Sequence, residues 1–520
     1  MSVWTTASAS LVSARWLRGL LALWLAGAFG VFAFAGTMGL AKSRWVAVLL
    51  SIAVAAVVAW IAWNRRVLSL DEKATSRALS IVFVLAAISS LVQLTRLCVF
   101  IVNPAAVGYA LGPNRGVGLT PRHLCMTAYF VAAQSVATVL NIYDENLYSL
   151  PTQNPDVRGF SAAKGETMRK PRTIGSFDLD GYEYPPPFLL LPQTLAFVTP
   201  QLLNFRMLWF ALNGSLVLIG LLAVAQMFDP VTGTRVLLLS PLVLGADMTI
   251  STLQIENVEA AIFSLAMLAM VFFAQRRYAA GGALLAFATV SKLFPGMLIV
   301  HLAARREWRA LAWTVGLCAA LVGISFLDTG RAPYSAFLHQ LPRLLSGEAF
   351  TPLRNPANVA SNLSVPGLLF KLKFFGLPNG SYEGMKVVGS IYTLILLAAT
   401  AVIAKKRLTR NEQPIIWLVI LILAALRSPF LPPYGLFAVL WLLTLLAATV
   451  VPAVRTLSLV LIAWLVLNIA IRRVGMDPRL IVAMALLSQA IIVVLFALAL
   501  RQRQESFQES PVMQPMGSPS

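Results

Sequence analysis

The chain has 520 residues, of which 58% are hydrophobic and 12% charged, with a mean hydropathy of +0.77; a soluble globule carries about twice that charged share. The net charge of +20 does not mark a nucleic-acid partner, because the basic residues stand in short clusters between apolar runs: Arg65-Arg66, Arg276-Arg277, Arg305-Arg306, Lys405-Lys406-Arg407, and Arg501 with Arg503. That distribution is a membrane-topology signal. The composition excludes a soluble enzyme and predicts an all-α polytopic membrane protein.

Apolar windows close to the roughly 20 residues a span needs fall at 16–40, 45–63, 78–103, 203–227, 234–252, 256–274, 309–327, 386–404, 413–428, 433–451, 455–471 and 479–500. Together with shorter stretches they predict about 12–14 spans. The first window follows Arg15 and Arg18, is too long for a signal-peptide core and reads as an anchor that stays. Placing the basic clusters in the cytoplasm puts both termini inside and residues 104–202 and 328–385 outside, with Arg472-Arg473 as the exception.

Within the first large loop, Asn141 to Pro187 gathers Asp144, Glu145, Asp156, Glu166, Asp178, Asp180 and Glu183, and closes with Gly181-Tyr182-Glu183-Tyr184-Pro185-Pro186-Pro187. Leu124–Leu140 and Phe188–Val198 read as short amphipathic helices lying along the outer surface. Next, Leu244–Ala260 carries Gly245, Asp247, Gln254, Glu256, Asn257 and Glu259 near the outer ends of two spans, either lining a polar pocket or forming an ordinary interfacial turn.

Tyr278–Ala304 has arginines at both ends, so both ends belong on one side. As helix it reaches only about 40 Å, against roughly 60 Å for two crossings. It must enter and return as two short helices, with the break at Ser291-Lys292-Leu293-Phe294-Pro295, where proline lacks its amide hydrogen. Irregular backbone and a lysine at membrane depth are tolerated only beside a cavity or inside protein. Lys292 is therefore either a functional residue or one that snorkels outward. A second broken span, Arg427-Ser428-Pro429-Phe430-Leu431-Pro432-Pro433-Tyr434, follows.

Residues 505–520, rich in Ser, Gln and Pro, form a disordered tail. Cys98, Cys125 and Cys318 are far apart with no pair at metal-ligand spacing, and His123, His301 and His339 are the three histidines, which predicts neither zinc nor a disulfide framework. No internal or inverted repeat of the transporter type is visible.

Carboxylates in an outer loop, a re-entrant lysine and an arginine at a broken span point to an outward-facing cavity. Moving a sugar off a lipid phosphate needs both kinds of group: a carboxylate to take the acceptor's proton, and cations to stabilise the departing phosphate.

The order of motifs resembles the GT-C superfamily of polyprenyl-phosphate-sugar-dependent glycosyltransferases, and within it glycosyltransferase family 87, whose members include bacterial mannosyltransferases. The matching pieces are Asn141-Ile142-Tyr143-Asp144, Tyr184-Pro185-Pro186, Gln254 with Asn257, Lys292 to Pro295, Asn358 to Ser364 and Ser428-Pro429. They make residues 78–450 the GT-C-like core, with two additional helices at 1–77 and C-terminal helices at 451–504.

The resemblance implies a bundle with an active site on the extracytoplasmic side of the cytoplasmic membrane, a polyprenyl-phosphate sugar donor, a glycolipid or glycan acceptor, inverting transfer, no cofactor and no metal. It also implies an Asp four residues before a Tyr as base. If Tyr129 is that Tyr, the base position falls on Cys125, with Arg122 and His123 nearby; Asp144 with Tyr148 restores the spacing. The base is then Asp144, with Glu145 second, unless these merely cap a short surface helix. Asp180 and Glu183 are the remaining base candidates. Tyr182 and Tyr184 bind a sugar face or form an interfacial belt, and Lys292, Arg427, Gln254, Asn257 and His123 are candidate substrate contacts. A lipid-linked sugar flippase and a non-catalytic family member are the competing readings.

Overall fold

The computed structural model describes residues 14–508 except 42, 65–69, 72–73, 112–121, 153–168, 379, 406–407, 451–453 and 469–476. Arg65-Arg66, Asp156, Glu166, Lys406-Arg407, Arg472-Arg473 and residues 509–520 lie outside the described residues.

The helices in chain order are α1 Ala14–Ala41, α2 Arg44–Trp63, α3 Arg77–Val102, α4 Met126–Ser135, α5 Glu145–Tyr148, α6 Leu190–Val198 and α7 Leu202–Ala225, then α8 Pro230–Leu244, α9 Asp247–Gln254, α10 Glu259–Ala274, α11 Tyr278–Ser291, α12 Met297–Ala304, α13 Trp308–Thr329 and α14 Ala332–Ser346. After these come α15 Pro356–Ser361, α16 Leu368–Lys371, α17 Tyr382–Ala404, α18 Glu412–Ala425, α19 Phe437–Thr449, α20 Val454–Asn468 and α21 Pro478–Gln508. Two small antiparallel pairs complete the first loop: β1 Ser149–Pro151 with β2 Arg169–Pro171, and β3 Thr173–Ile174 with β4 Phe177–Asp178.

Among the described residues seven helices are long and apolar enough to cross a membrane, and α8 with α9, bent by 57°, makes an eighth. This is an all-α multi-pass membrane protein. Large apolar side chains such as Trp45, Leu49, Trp60, Val315, Leu394 and Val493 face outward from α2, α13, α17 and α21, which suits hydrocarbon and not water. The helix starts follow local chemistry: Ser76 caps α3 by accepting from the Leu79 amide, and Asp229 caps α8 with Pro230 in its first turn.

All twelve predicted windows reappear as helices, but those at the centre are short. α10, α18 and α19 have 16, 14 and 13 residues, well under the length of about 20 that spans the hydrocarbon. Each falls short at the same end, where Glu259, Ala425 and Tyr434 line one cavity. The missing turns of helix are what leave room for a site.

The predicted entry and return over Tyr278–Ala304 is observed as α11, a short 3-10 turn at Phe294–Gly296, and α12. Gly282 lies where a Cβ would approach Trp313 Cβ to 2.8 Å, and Cys318 further along α13 reaches the Ala286 carbonyl. α11 and α13 therefore run parallel from the same face, so α12 must return the chain to it. The turns before α11 and α13 also match, with Arg276 and Arg306 both at φ 60°. On this face arginines meet exposed carbonyls at helix ends: Arg410 donates to Gln226 and Met227, and Arg235 to Ala448 and Val450.

Two expectations need correction. Leu124–Leu140 does not lie on the surface: α4 buries Met126, Thr127, Ala128, Tyr129, Phe130 and Ala132, because its aromatic rings pack on Tyr184, Phe188, Phe205 and Trp209, and Thr127 finds its partner in the Leu124 carbonyl. The last helix runs to Gln508, into the stretch read as a disordered tail.

The first loop is fixed to the bundle by Arg206 near the start of α7. Its Nε lies 2.9 Å from Glu256 Oε1 with neither side chain exposed. Its other arm reaches the Phe100 and Ile101 carbonyls at the end of α3, and its guanidinium covers the Phe177 ring of β4. Arg206→Ala leaves Glu256 buried without its cation and should cost about 3–5 kcal/mol, read as a lower melting temperature in detergent. Arg206→Met with Glu256→Gly, which removes both charges and suits the positive φ, should recover most of the loss. A wild-type melt for Arg206→Ala alone would show that the pair holds nothing.

Candidate active site

Four segments enclose a cavity of about 750 Å³. The first loop supplies His123, Cys125 and the run Asp180–Tyr184; the turn between α9 and α10 supplies Asn257 and Glu259; the α11–α12 break supplies Lys292; and the segment between α18 and α19 supplies Arg427 and Tyr434. Apolar side chains of α12 and α14, including Met297, Val300, Leu341 and Leu344, line the remainder.

A tyrosine network sets the wall. Tyr129 and Tyr184 share a hydroxyl hydrogen bond of 2.8 Å with their rings edge to face, Tyr143 donates to the Tyr184 carbonyl at 2.7 Å, and Tyr148 donates to the Ile142 carbonyl at 2.7 Å. Asn257 works on three neighbours at once: its amide nitrogen donates to Tyr434 Oη and to Cys125 Sγ, and its oxygen accepts from the Glu259 amide. The turn that carries it is held by Cys125 N donating to the Ile255 carbonyl at 2.8 Å.

Charge is unevenly compensated. Lys292 Nζ sits 3.0 Å from Glu259 Oε2 and 5.6 Å from the Tyr184 ring centre. Arg427 donates to the Thr393 hydroxyl and has no carboxylate partner among the described residues. Its segment is stapled from behind by Asn362, whose amide donates to the Pro429 carbonyl and whose oxygen accepts from Leu431 N, with Ser364 also donating to Pro429. The sequence pieces Asn358 to Ser364 and Ser428-Pro429 thus meet in space, one holding the other.

Of the residues singled out in the sequence, Glu145, Asp180, Glu183, Tyr182, Tyr184, Lys292, Arg427, Asn257 and His123 line the cavity. Asp144 and Gln254 do not. Asp144 is exposed and caps α5 by accepting from the Asn146 amide, the role local spacing alone would give it. Gln254 is buried and clamps the Leu111 backbone, accepting from its amide and donating to its carbonyl. Glu145 reaches the cavity but is tied to Arg169 and Arg343 at 3.4 and 3.1 Å, whereas Asp180 has only the His123 ring nitrogen at 4.0 Å and Glu183 has no ion-pair partner among the described residues.

Glu183 is partly buried on the cavity wall, and desolvation there, reinforced by Asp180 and partly offset by Lys292, pushes its carboxyl well above the usual range. Asp180 is partly exposed and close to Cys125, so its carboxylate sits beside the position where the family spacing places a base. Sequence reasoning undervalued Cys125 and Glu259. The signal for Glu259 was present, because the same reading that brings Lys292 back to the loop side puts Glu259 at that level too.

Residues 182–429 match the model of glycosyltransferase family 87. They are a family 87 glycosyltransferase domain. No curated protein matches the chain. The family 87 domain, just under half of the chain, contains Tyr182, Glu183, Tyr184, Asn257, Glu259, Lys292 and Arg427, while His123, Cys125 and Asp180 precede it. The match supports a membrane glycosyltransferase.

A carboxyl that holds its proton more tightly in the folded protein gives a stability signature. Above pH about 4.5, the ordinary value for Glu, the unfolded chain releases this proton while the folded protein keeps it, so stability falls as pH rises toward the folded value. Glu183→Gln removes that loss. Its melting temperature should equal wild type at pH about 4 and exceed it at pH about 8; equal melts at both would place the Glu183 carboxyl in water.

Proposed function

We propose that the protein transfers a hexose, with mannose as the leading choice, from a polyprenyl-phosphate carrier to a glycolipid or glycan acceptor at the extracytoplasmic face of the cytoplasmic membrane. The observation that carries this reading is Arg427, a cation on the cavity wall whose side chain has, among the described residues, only the Thr393 hydroxyl for a partner, in the same cavity as Lys292. A phosphate is the natural counter-ion for such a site. The apolar side chains of α12 and α14 continue the same cavity, which supports a donor whose tail is hydrocarbon.

In this reading the acceptor hydroxyl gives its proton to Asp180 as its oxygen bonds to the sugar's anomeric carbon. The bond from that carbon to the phosphate oxygen breaks on the opposite face, and the polyprenyl phosphate leaves with a charge that Arg427 and Lys292 stabilise. Glu259 holds Lys292 in place and shares it with the phosphate. Tyr182 and Tyr184 offer ring faces for the sugar. The described arginines at 276, 277, 305, 306 and 410 lie on the face opposite the cavity, and the positive-inside rule assigns that face to the cytoplasm.

Asp180→Asn should lower turnover by about 100-fold or more with folding retained, while Asp144→Asn should stay near wild type. The reverse pattern would return the base to Asp144. Arg427→Ala should raise the donor KM about tenfold or more, the scale of a lost charge-assisted bond, and leave the acceptor KM unchanged. An unaltered donor KM would remove the phosphate from this site.

A further inference from the structure

His123, Cys125 and Asp180 stand together at the loop side of the cavity. Their ligating atoms, a ring nitrogen, a thiol sulfur and a carboxylate oxygen, all lie within 4.8 Å of one another. Cys125 Sγ is 3.7 Å from His123 Nε2, and Asp180 Oδ2 is 4.0 Å from the same nitrogen. A nucleophile relay needs its carboxylate on the ring nitrogen away from the thiol. Here both partners approach one nitrogen, which rules out a relay and leaves three different donors converging on a shared point.

Tetrahedral zinc, with bonds of about 2.0–2.3 Å, keeps its ligand atoms roughly 3.3–3.7 Å apart. The observed separations exceed that range by no more than about 1 Å, within reach of side-chain rotation. The backbone under the three residues is fixed: His123 bridges Asp178, Cys125 N bonds the Ile255 carbonyl, and Asp180 N bonds Thr127 Oγ1 at 3.0 Å. Asn257 donates to Cys125 Sγ at 3.4 Å, the kind of outer hydrogen bond that orients a thiolate ligand. The His123 and Asp180 side chains are 34% and 35% exposed, so a fourth coordination position would open to the cavity.

We propose that His123, Cys125 and Asp180 form a binding site for a zinc-class divalent cation on the cavity wall. On binding, the thiol proton passes to solvent and the thiolate and carboxylate neutralise the dication, with imidazole as the third ligand. Mixed sulfur, nitrogen and oxygen donors select zinc-class ions over magnesium or calcium. The consequence rests on the reading above: Asp180 is the base there, so an ion that takes its carboxylate slows transfer. Sequence spacing hides the site because its third ligand comes from β4's far side, more than fifty residues beyond Cys125.

The test uses Co2+ alone as the probe on the full-length protein in detergent. Wild type should show a thiolate-to-cobalt charge-transfer band with tetrahedral visible bands. Cys125→Ala and, as a second variant at a partly exposed position, His123→Ala should lose it, whereas Cys98→Ala and Cys318→Ala should keep it. Added Zn2+ should displace the cobalt spectrum and reduce wild-type transfer about tenfold or more, reversed by chelator. Absence of the band in wild type, or its survival in both Cys125→Ala and His123→Ala, overturns the site. Zinc that binds there but accelerates transfer overturns the inhibitory consequence. The two readings separate cleanly: no cobalt band with an inactive Asp180→Asn keeps the base and removes the metal, and a cobalt band with an active Asp180→Asn does the opposite.

Discussion

A carboxylate and a guanidinium with no access to water, Glu256 and Arg206, hold the turn on which the rest of the site is built. Glu256 sits at φ 58°, a left-handed conformation that non-glycine residues adopt only when their surroundings compel it. That conformation aims Glu256 inward at Arg206 while Asn257 and Glu259, a few positions later, face the cavity. Because Arg206 also reaches the carbonyls of Phe100 and Ile101 and covers the Phe177 ring, one side chain ties α3, α7, the turn and the first loop together. A buried pair of this kind is poor evidence for net stability; its value here is register.

From that anchor outward, the site follows a single constraint: polar backbone and charge at membrane depth must be satisfied by protein or face a cavity. α10, α18 and α19 fall short of a full crossing, and the gaps are filled by segments whose polar groups pair among themselves. Asn362 and Ser364 satisfy the Pro429 carbonyl, Thr252 and Asn257 satisfy Tyr434, and Glu259 satisfies Lys292. Among the described residues the Arg427 side chain is left with one hydroxyl. The imbalance leaves cations of the family 87 domain lining one cavity with the carboxylates of the first loop, the division of labour that the proposed transfer from a phosphate would use.

Much of this was legible in the sequence because it depends on periodicity and on backbone hydrogen bonds. Apolar windows located the helices, arginines at both ends of Tyr278–Ala304 forced the hairpin, and Pro295 located its break. The part that was not legible depends on tertiary packing. Thr127 and the aromatic residues of α4 look amphipathic until Trp209 and Phe188 are placed against them, and Gln254 looks like a ligand until Leu111 arrives from a distant loop. Asp144 takes a local capping role, which its spacing to Tyr148 does not distinguish from that of a base. Asp180, by contrast, gains its place beside Cys125 through the Thr127 hydrogen bond and the bridge between His123 and Asp178, contacts no linear motif records.

The central claim is that Lys292 and Arg427 receive the donor's phosphate while Asp180 faces the sugar from the opposite side. A cryo-EM structure of the full-length protein with a non-transferable polyprenyl phosphonate sugar tests it most directly. The account predicts phosphonate oxygens within about 3–4 Å of the Lys292 and Arg427 side chains, the anomeric carbon turned toward Asp180, and the lipid along α12 and α14. A phosphonate bound away from both cations, or a sugar whose anomeric carbon faces Glu145 or Asp144, would contradict it.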